Sequence, residues 1–204
     1  MPKDTFFNLS ESKRGRVVAA AIDEFASYPF HKASVTRIIK KAGIASGSFY
    51  QYFEDKKDLY MYIIKLIGDK KMEYLNYVLQ RFDSLDFFQM LRELYLAGIR
   101  FARDNPKLDA IGNNLIKNSD QLYKDIIGDQ KPMAIHFFEE MLQKGIEKGG
   151  VDPAIDTRLV AEMLLAINLS ISELIYEDGQ VNMNDMELID KMLYVIENGI
   201  RKKR

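Results

Sequence analysis

Within the eleven residues from Ser46 to Lys56 stand Ser46, Gly47, Ser48, Tyr50, Gln51, Tyr52 and Lys56, side chains suited to gripping a nucleic acid. Small residues at 46–48 let a backbone come close, and the two serine hydroxyls can meet base edges or phosphates in a major groove. The unpaired amides at a helix start carry partial positive charge that suits a phosphate oxygen. Tyr50, Tyr52 and Lys56 can add hydrogen bonds and charge along the same backbone. Gln51 can read a base edge.

Nothing comparable points to catalysis. The two histidines, His31 and His136, are far apart in sequence and lack metal-ligand spacing. Glu139 and Glu140 are neighbours and so cannot share one helix face. With no cysteine, the chain has no disulfide framework, thiolate nucleophile or cysteine-built zinc site. It also lacks a glycine-rich phosphate loop, a nucleophile elbow and a carboxylate metal motif. The expectation is a non-enzyme with no cofactor and no metal.

The recognition set needs a rigid carrier, and the preceding residues supply one. Ser34 is a helix N-cap whose hydroxyl can accept from Thr36 or Arg37. Val35, Ile38, Ile39 and Ala42 then face inward, while Arg37, Lys40 and Lys41 stay on the wet side. Gly43 falls where a helix end favours a left-handed residue, and Ile44 supplies the apolar contact that accompanies such a cap. Ser46 is the next N-cap, and Phe49 and Phe53 form the buried stripe of a second short helix over 47–53. Gly47, Ser48, Tyr50, Gln51 and Tyr52 then project outward. Two helices joined by a tight glycine turn make a helix-turn-helix.

Charge agrees once it is divided along the chain. The net charge of the 204 residues is −1, yet 32–57 holds Lys32, Arg37, Lys40, Lys41, Lys56 and Lys57 against only Glu54 and Asp55. A local basic patch attracts phosphate, and an acidic remainder weakens nonspecific adhesion.

The string AGIASGSFYQYFEDKKDLY, residues 42 to 60, resembles the signature of the TetR family of transcriptional regulators. It has the small-Gly-aliphatic turn, the Ser-Gly-Ser start, the aromatic pair Tyr50 and Tyr52, then Phe53, Lys56 and Leu59. Upstream, Ser10 to Tyr28 is similar to the family's first helix, with Val17, Ala20, Ala21, Phe25 and Ala26 as support. Ile39 departs from the family's usual alanine, a change that neighbouring side chains can absorb. The resemblance implies that Thr36, Ser46, Ser48, Tyr50, Tyr52 and Lys56 touch DNA, mostly its phosphates. With Arg37, Gly47 and Gln51 from the same face, these residues make up the expected DNA-binding set.

The rest of the chain reads as helix throughout, with no strand expected. Hydrophobic residues make up 47% of the sequence, enough for a sizeable core. The expected fold is all-α, with a three-helix helix-turn-helix DNA-binding domain over 1–54 and a helical effector-binding and dimerisation domain over 55–204. A long helix from Lys56 to about Arg81 links them. Another begins at Ser84 and stops at Asn105-Pro106, a shorter and more broken stretch covers 107–128, and Pro132 opens a helix ending near Gly149-Gly150. No apolar run is long enough to cross a bilayer and the N-terminus lacks a signal peptide's apolar core, so a cytoplasmic protein without membrane contact is expected.

The last two helices are apolar on two sides. Over 157–177, Val160, Met163, Leu164, Ile167, Ile171 and Leu174 form one stripe, with Leu165, Leu169 and Tyr176 opposite. Over 184–201, Met186, Ile189, Leu193, Ile196 and Ile200 form one, with Leu188, Met192, Val195 and Gly199 opposite. Either another part of the same chain covers the second stripes or a second copy does. The simpler arrangement is a homodimer joined by a four-helix bundle.

Such a dimer places two recognition helices on an approximately palindromic double-stranded DNA operator. The apolar side chains of the middle helices are either plain core or a small-molecule site. The candidate set is Tyr62, Leu66, Phe88, Leu91, Tyr95, Phe101, Phe137, Met141, Met163 and Ile167, with Asn168 as polar handle. The resemblance implies an effector there, and repression as the usual mode. The other reading is a dimeric helical sensor or protein adaptor that does not bind DNA.

Overall fold

The computed structural model describes residues 1–117, 121–128, 131–177, 180–181 and 185–202, side chains at 121, 123, 127 and 171–186 excepted. In chain order the elements are α1 (Asp4–Phe7), α2 (Glu11–Ser27), a 3-10 turn (Phe30–Lys32), α3 (Val35–Ala42), α4 (Ser46–Tyr52) and α5 (Lys56–Leu79). Then come α6 (Phe87–Asp104), α7 (Pro106–Lys117), α8 (Gln121–Ile127), α9 (Lys131–Glu147), α10 (Thr157–Ile175), β1 (Tyr176–Glu177), β2 (Gln180–Val181) and α11 (Asp185–Ile200). The fold is all-α, as expected from the sequence, but not free of strand. β1 and β2 pair antiparallel with Tyr176 opposite Val181 and Glu177 opposite Gln180. With two residues per strand the ladder is too short to leave any periodicity in the sequence.

The ends of the helices follow local chemistry. Ser10 caps α2 by accepting from the Lys13 amide at 3.4 Å. Asp55 caps α5 by accepting from the Asp58 amide at 2.8 Å, and the Asp58 carboxylate accepts from the Glu54 amide at 3.1 Å. The helix expected from Ser84 begins instead at Phe87. Asp86 and Gln89 cap each other there, through Gln89 N–H to Asp86 Oδ1 at 2.8 Å and Asp86 N–H to Gln89 Oε1 at 3.2 Å, while Ser84 spends its hydroxyl on the Arg81 carbonyl.

The chain divides into two compact units, Met1–Met72 with Asn105–Ile126, and Glu73–Asp104 with Ile127–Arg204. The first is larger than the expected 1–54 division, because α2 packs against α7 as well as α3. Its core holds Val17, Ala20, Ala21 and Phe25 of α2, Ile38, Ile39 and Ala42 of α3, and Phe49, Phe53, Leu59 and Ile63.

The second unit packs α9 against α10 and α6, and α11 against α6. Its core includes Phe87, Met90, Leu91, Tyr95, Ile135, Phe138, Met141, Leu142, Leu164, Leu165 and Ile189. Gly145 of α9 is there for space: a Cβ at this position would lie 2.6 Å from Val151 Cγ2. No helix among the described residues is long and apolar enough to cross a membrane.

Candidate nucleic-acid interface

The helix-turn-helix is built as its residues dictate. Ser34 accepts the Arg37 amide at 3.4 Å and starts α3. Gly43 ends it at φ 64°, ψ 41°, and the Ile44 amide reaches back to the Ile39 carbonyl at 3.3 Å, the closure of a left-handed cap. Arg16 of α2 adds a hydrogen bond from Nε to the Ala42 carbonyl at 3.3 Å. The chain then restarts one residue earlier than Ser46 suggests. Ala45 is the N-cap of α4, and Ser46 is its first helical residue with no side-chain cap bond.

Thr36, Ser46, Gly47, Tyr50 and Gln51 are exposed and Ser48 is half-buried. Tyr50 stands 60% exposed, its ring edge-on to Phe49 at 5.2 Å. These residues can offer a groove hydroxyls, an amide and a small-residue approach.

Three members of the expected set are placed differently. Tyr52, expected to project outward, is 5% exposed. It lies three residues after Phe49, on the same helix face, and α1 closes over it with the Phe6 ring 6.2 Å away. Arg37 is exposed, but its guanidinium is committed to Glu24: Nε donates at 2.9 and 3.0 Å to the two carboxylate oxygens and Nη2 at 2.5 Å to one of them. Nη2 also donates to the Lys32 carbonyl at 2.9 Å, and the group lies 4.3 Å from the Tyr28 ring centre. Lys56 donates from Nζ to the carbonyls of Phe30 at 2.7 Å and Ala33 at 2.9 Å, which uses two of its three protons.

Burial opposes the charge on Glu24, but hydrogen bonds from Arg37 and the Ser34 amide outweigh it and hold the carboxyl below its ordinary value. Beside it, Lys107 and Lys41 pull Asp23 down in the same way, at 2.5 and 2.8 Å. Patch cations therefore serve the fold as well as the surface. Sequence reasoning missed Lys3 and Thr5, both bonded to the carbonyl end of α4. The adjacent Phe6 and Phe7 were the available signal that this stretch docks.

The expected effector set divides between the two units. Tyr62 and Leu66 belong to the first, where the Tyr62 ring packs on Phe6 at 5.4 Å. In the second, Leu91, Tyr95 and Met141 are buried in the core, Phe88, Phe137 and Ile167 pack partly buried against it, and Phe101 is buried against Tyr74. Met163 is 55% exposed and Asn168 is exposed, so neither faces this core. Leu164 and Ile167 define the inner arc of α10, and Met163 falls about 100° outside it. Within this core the Tyr95 hydroxyl is buried with no hydrogen-bond partner among the described residues, and burial raises its pKa. A surface groove of about 360 Å³ lies beside Phe88, lined also by Arg92, Asp190, Tyr194 and Arg201.

The dimer set is also redistributed. Leu165 is core, and Leu169, Leu188 and Met192 pack against the core rather than facing away from it. Leu164 and Leu165 are about 100° apart, inside one wide apolar arc rather than on opposite sides. Val195 is 70% exposed and Gly199 is exposed; the Tyr176 side chain lies outside the described residues. Among the described residues of this region, the exposed large apolar side chains are Leu159, Met163, Tyr194 and Val195.

The fold and the exposed α4 face define a helix-turn-helix DNA-binding regulator with an attached helical body. The pattern for bacterial regulatory proteins of the tetR family matches residues 17–63. A TetR family transcriptional regulator from Chloroflexus aurantiacus J-10-FL is 30% identical, with both chains covered in full and a TM-score of 0.79. The chain is similar to the fatty acid metabolism regulator protein of Bacillus subtilis strain 168, 20% identical over 92% of this chain and 95% of that one. The transcriptional regulator FadR from Bacillus subtilis, solved in complex with stearoyl-CoA, superposes with a TM-score of 0.70 at 19% identity over 91% of this chain and 98% of that one. This chain belongs to the TetR family of transcriptional regulators.

Proposed function

We propose that this regulator is a cytoplasmic repressor that binds an approximately palindromic operator as a homodimer and is released by a small, largely apolar effector. The exposed face of α4, with Ser46, Gly47, Tyr50 and Gln51 beside Thr36, carries the reading. Residues 1–54 act as the DNA-binding domain and 55–204 as the effector-binding and dimerisation domain. Repression is the family's usual mode.

The dimer surface is the exposed apolar face of α10 and α11, namely Leu159, Met163, Tyr194 and Val195, with Gly199 allowing close approach. Two α4 helices about 34–36 Å apart, or a multiple of this, enter successive major grooves on one side of the duplex. An effector that changes that spacing weakens both contacts at once.

The effector sits among the apolar side chains around Leu91, Tyr95 and Met141. The Tyr95 hydroxyl is its polar contact, in place of Asn168. Burial raises the Tyr95 pKa, so the hydroxyl stays protonated and presents a donor to an uncharged acceptor such as a carbonyl. A long-chain acyl thioester is the first effector to test, supported by the likeness to a FadR solved with stearoyl-CoA.

The test is equilibrium binding to the duplex upstream of the protein's own gene across a salt series. The repressor reading expects affinity that falls steeply with salt and weakens in Tyr50→Ala while the dimer persists. An adaptor would bind no duplex even at low salt.

A further inference from the structure

The recognition helix is short, and its two ends are treated differently. α4 has seven residues, too few to be stable alone, and among the described residues no side chain caps its N-terminus, the end that must stay open to DNA. At the other end every carbonyl of the last turn is satisfied. The Phe53 amide donates to the Phe49 carbonyl at 2.9 Å, within the chain's own course. The remaining three accept from one upstream segment. Lys3 Nζ donates to the Tyr50 carbonyl at 2.9 Å, Thr5 Oγ1 donates to the Gln51 carbonyl, and the Lys3 amide donates to the Tyr52 carbonyl at 2.9 Å. Fully buried Phe6 anchors the segment, its ring 4.8 Å from Phe53 and 5.4 Å from Tyr62.

We propose that Lys3 and Thr5 are positioning residues for DNA recognition: they clamp the carbonyl end of α4 and so set its pitch in the groove, without touching DNA. Four orphan carbonyls are the usual debt of a helix end, and a cation beside them also suits the helix dipole. A reading element must be held to within about 0.5 Å and 10–20° by its supporting shell. With the N-terminus of α4 reserved for the ligand, that support comes from the opposite end. The inference rests on the DNA-binding reading above.

The experiment uses the full chain with two duplexes of equal length, one carrying the sequence recovered by selection from random DNA and one scrambled. Affinity is measured over a salt series for wild type, Thr5→Val, Thr5→Ser and Lys3→Met, with thermal melting of each variant. Thr5→Val should lower affinity for the selected duplex by roughly tenfold, because in each of two subunits α4 is no longer held in its reading pose and must be fixed there on binding, at a cost bounded by one hydrogen bond of ordinary net strength. Affinity for the scrambled duplex and the salt slope stay unchanged, and Thr5→Ser restores binding. Lys3→Met should behave like Thr5→Val, with its salt slope intact.

Wild-type affinity in Thr5→Val overturns the clamp. A Lys3→Met loss that is equal on both duplexes, with the salt slope reduced by about 0.9 per lost phosphate contact, also overturns it in favour of direct phosphate binding. Failure of the wild type to bind either duplex refutes the DNA reading itself, a result distinct from both.

Discussion

Glu24 of α2 holds Arg37 of α3 in a fork, with Nε at 2.9 and 3.0 Å from its two oxygens, and the same carboxylate accepts the Ser34 amide at 2.7 Å. One buried side chain thereby fixes the start of the helix-turn-helix to the helix beneath it. Glu24→Ala leaves the Ser34 amide and the guanidinium without that acceptor. The expected loss is about 1–3 kcal/mol, read as a lower melting temperature. Unchanged melting would show the fork to be idle.

The same pair sets an acid limit. Glu24 titrates below its ordinary value of 4.5 when folded, so it binds fewer protons folded than unfolded. Its contribution is present in full above pH 4.5 and is lost as pH falls through the lowered folded value. Glu24→Gln should therefore flatten the acid side of a melting-temperature profile and leave its slope near neutrality alone. A parallel drop at all pH values would contradict this.

Much of this site was legible in the sequence. Ser34, Gly43 and the Phe49–Phe53 pair have short-range consequences, so cap, turn and buried stripe follow from residue type alone. Tyr52, Arg37 and Lys56 did not, because their fate depends on partners distant in the chain: Phe6, Glu24, and the Phe30 and Ala33 carbonyls. The outer helices failed for another reason. An apolar arc wide enough to hold both Leu164 and Leu165 mimics two stripes when only spacing is read.

Gly43 sits at φ 64°, where an added Cβ strains the backbone even though open space surrounds it. Gly43→Ala should destabilise the chain by about 1 kcal/mol and weaken duplex binding further, since α3 and α4 lose their fixed angle. Thermal melting and a binding titration check the two parts separately.

Tyr95 is 4% exposed, and its hydroxyl has no hydrogen-bond partner among the described residues. Tyr95→Phe removes that orphan at almost constant shape, so the free protein should gain stability, by up to about 1–2 kcal/mol. Its thermal shift with a carbonyl-bearing effector such as a long-chain acyl thioester should shrink. A destabilised variant with an undiminished shift would refute the role given to Tyr95.

Val195 is 70% exposed on α11 and Met163 is 55% exposed on α10. A charge at either leaves an isolated chain undisturbed but is driven into the apolar centre of the proposed interface. Met163→Glu with Val195→Glu should give monomers at micromolar concentration in sedimentation, with unchanged helical content. A dimer that persists would place the contact elsewhere.

The central claim is a paired reader, and selection of bound sequences from random duplex DNA tests it most directly. The account predicts an approximate palindrome whose half-sites lie about 10–10.5 base pairs apart, centre to centre, or a multiple of this. Recovery of a single unpaired half-site, or no enrichment at all, would contradict it.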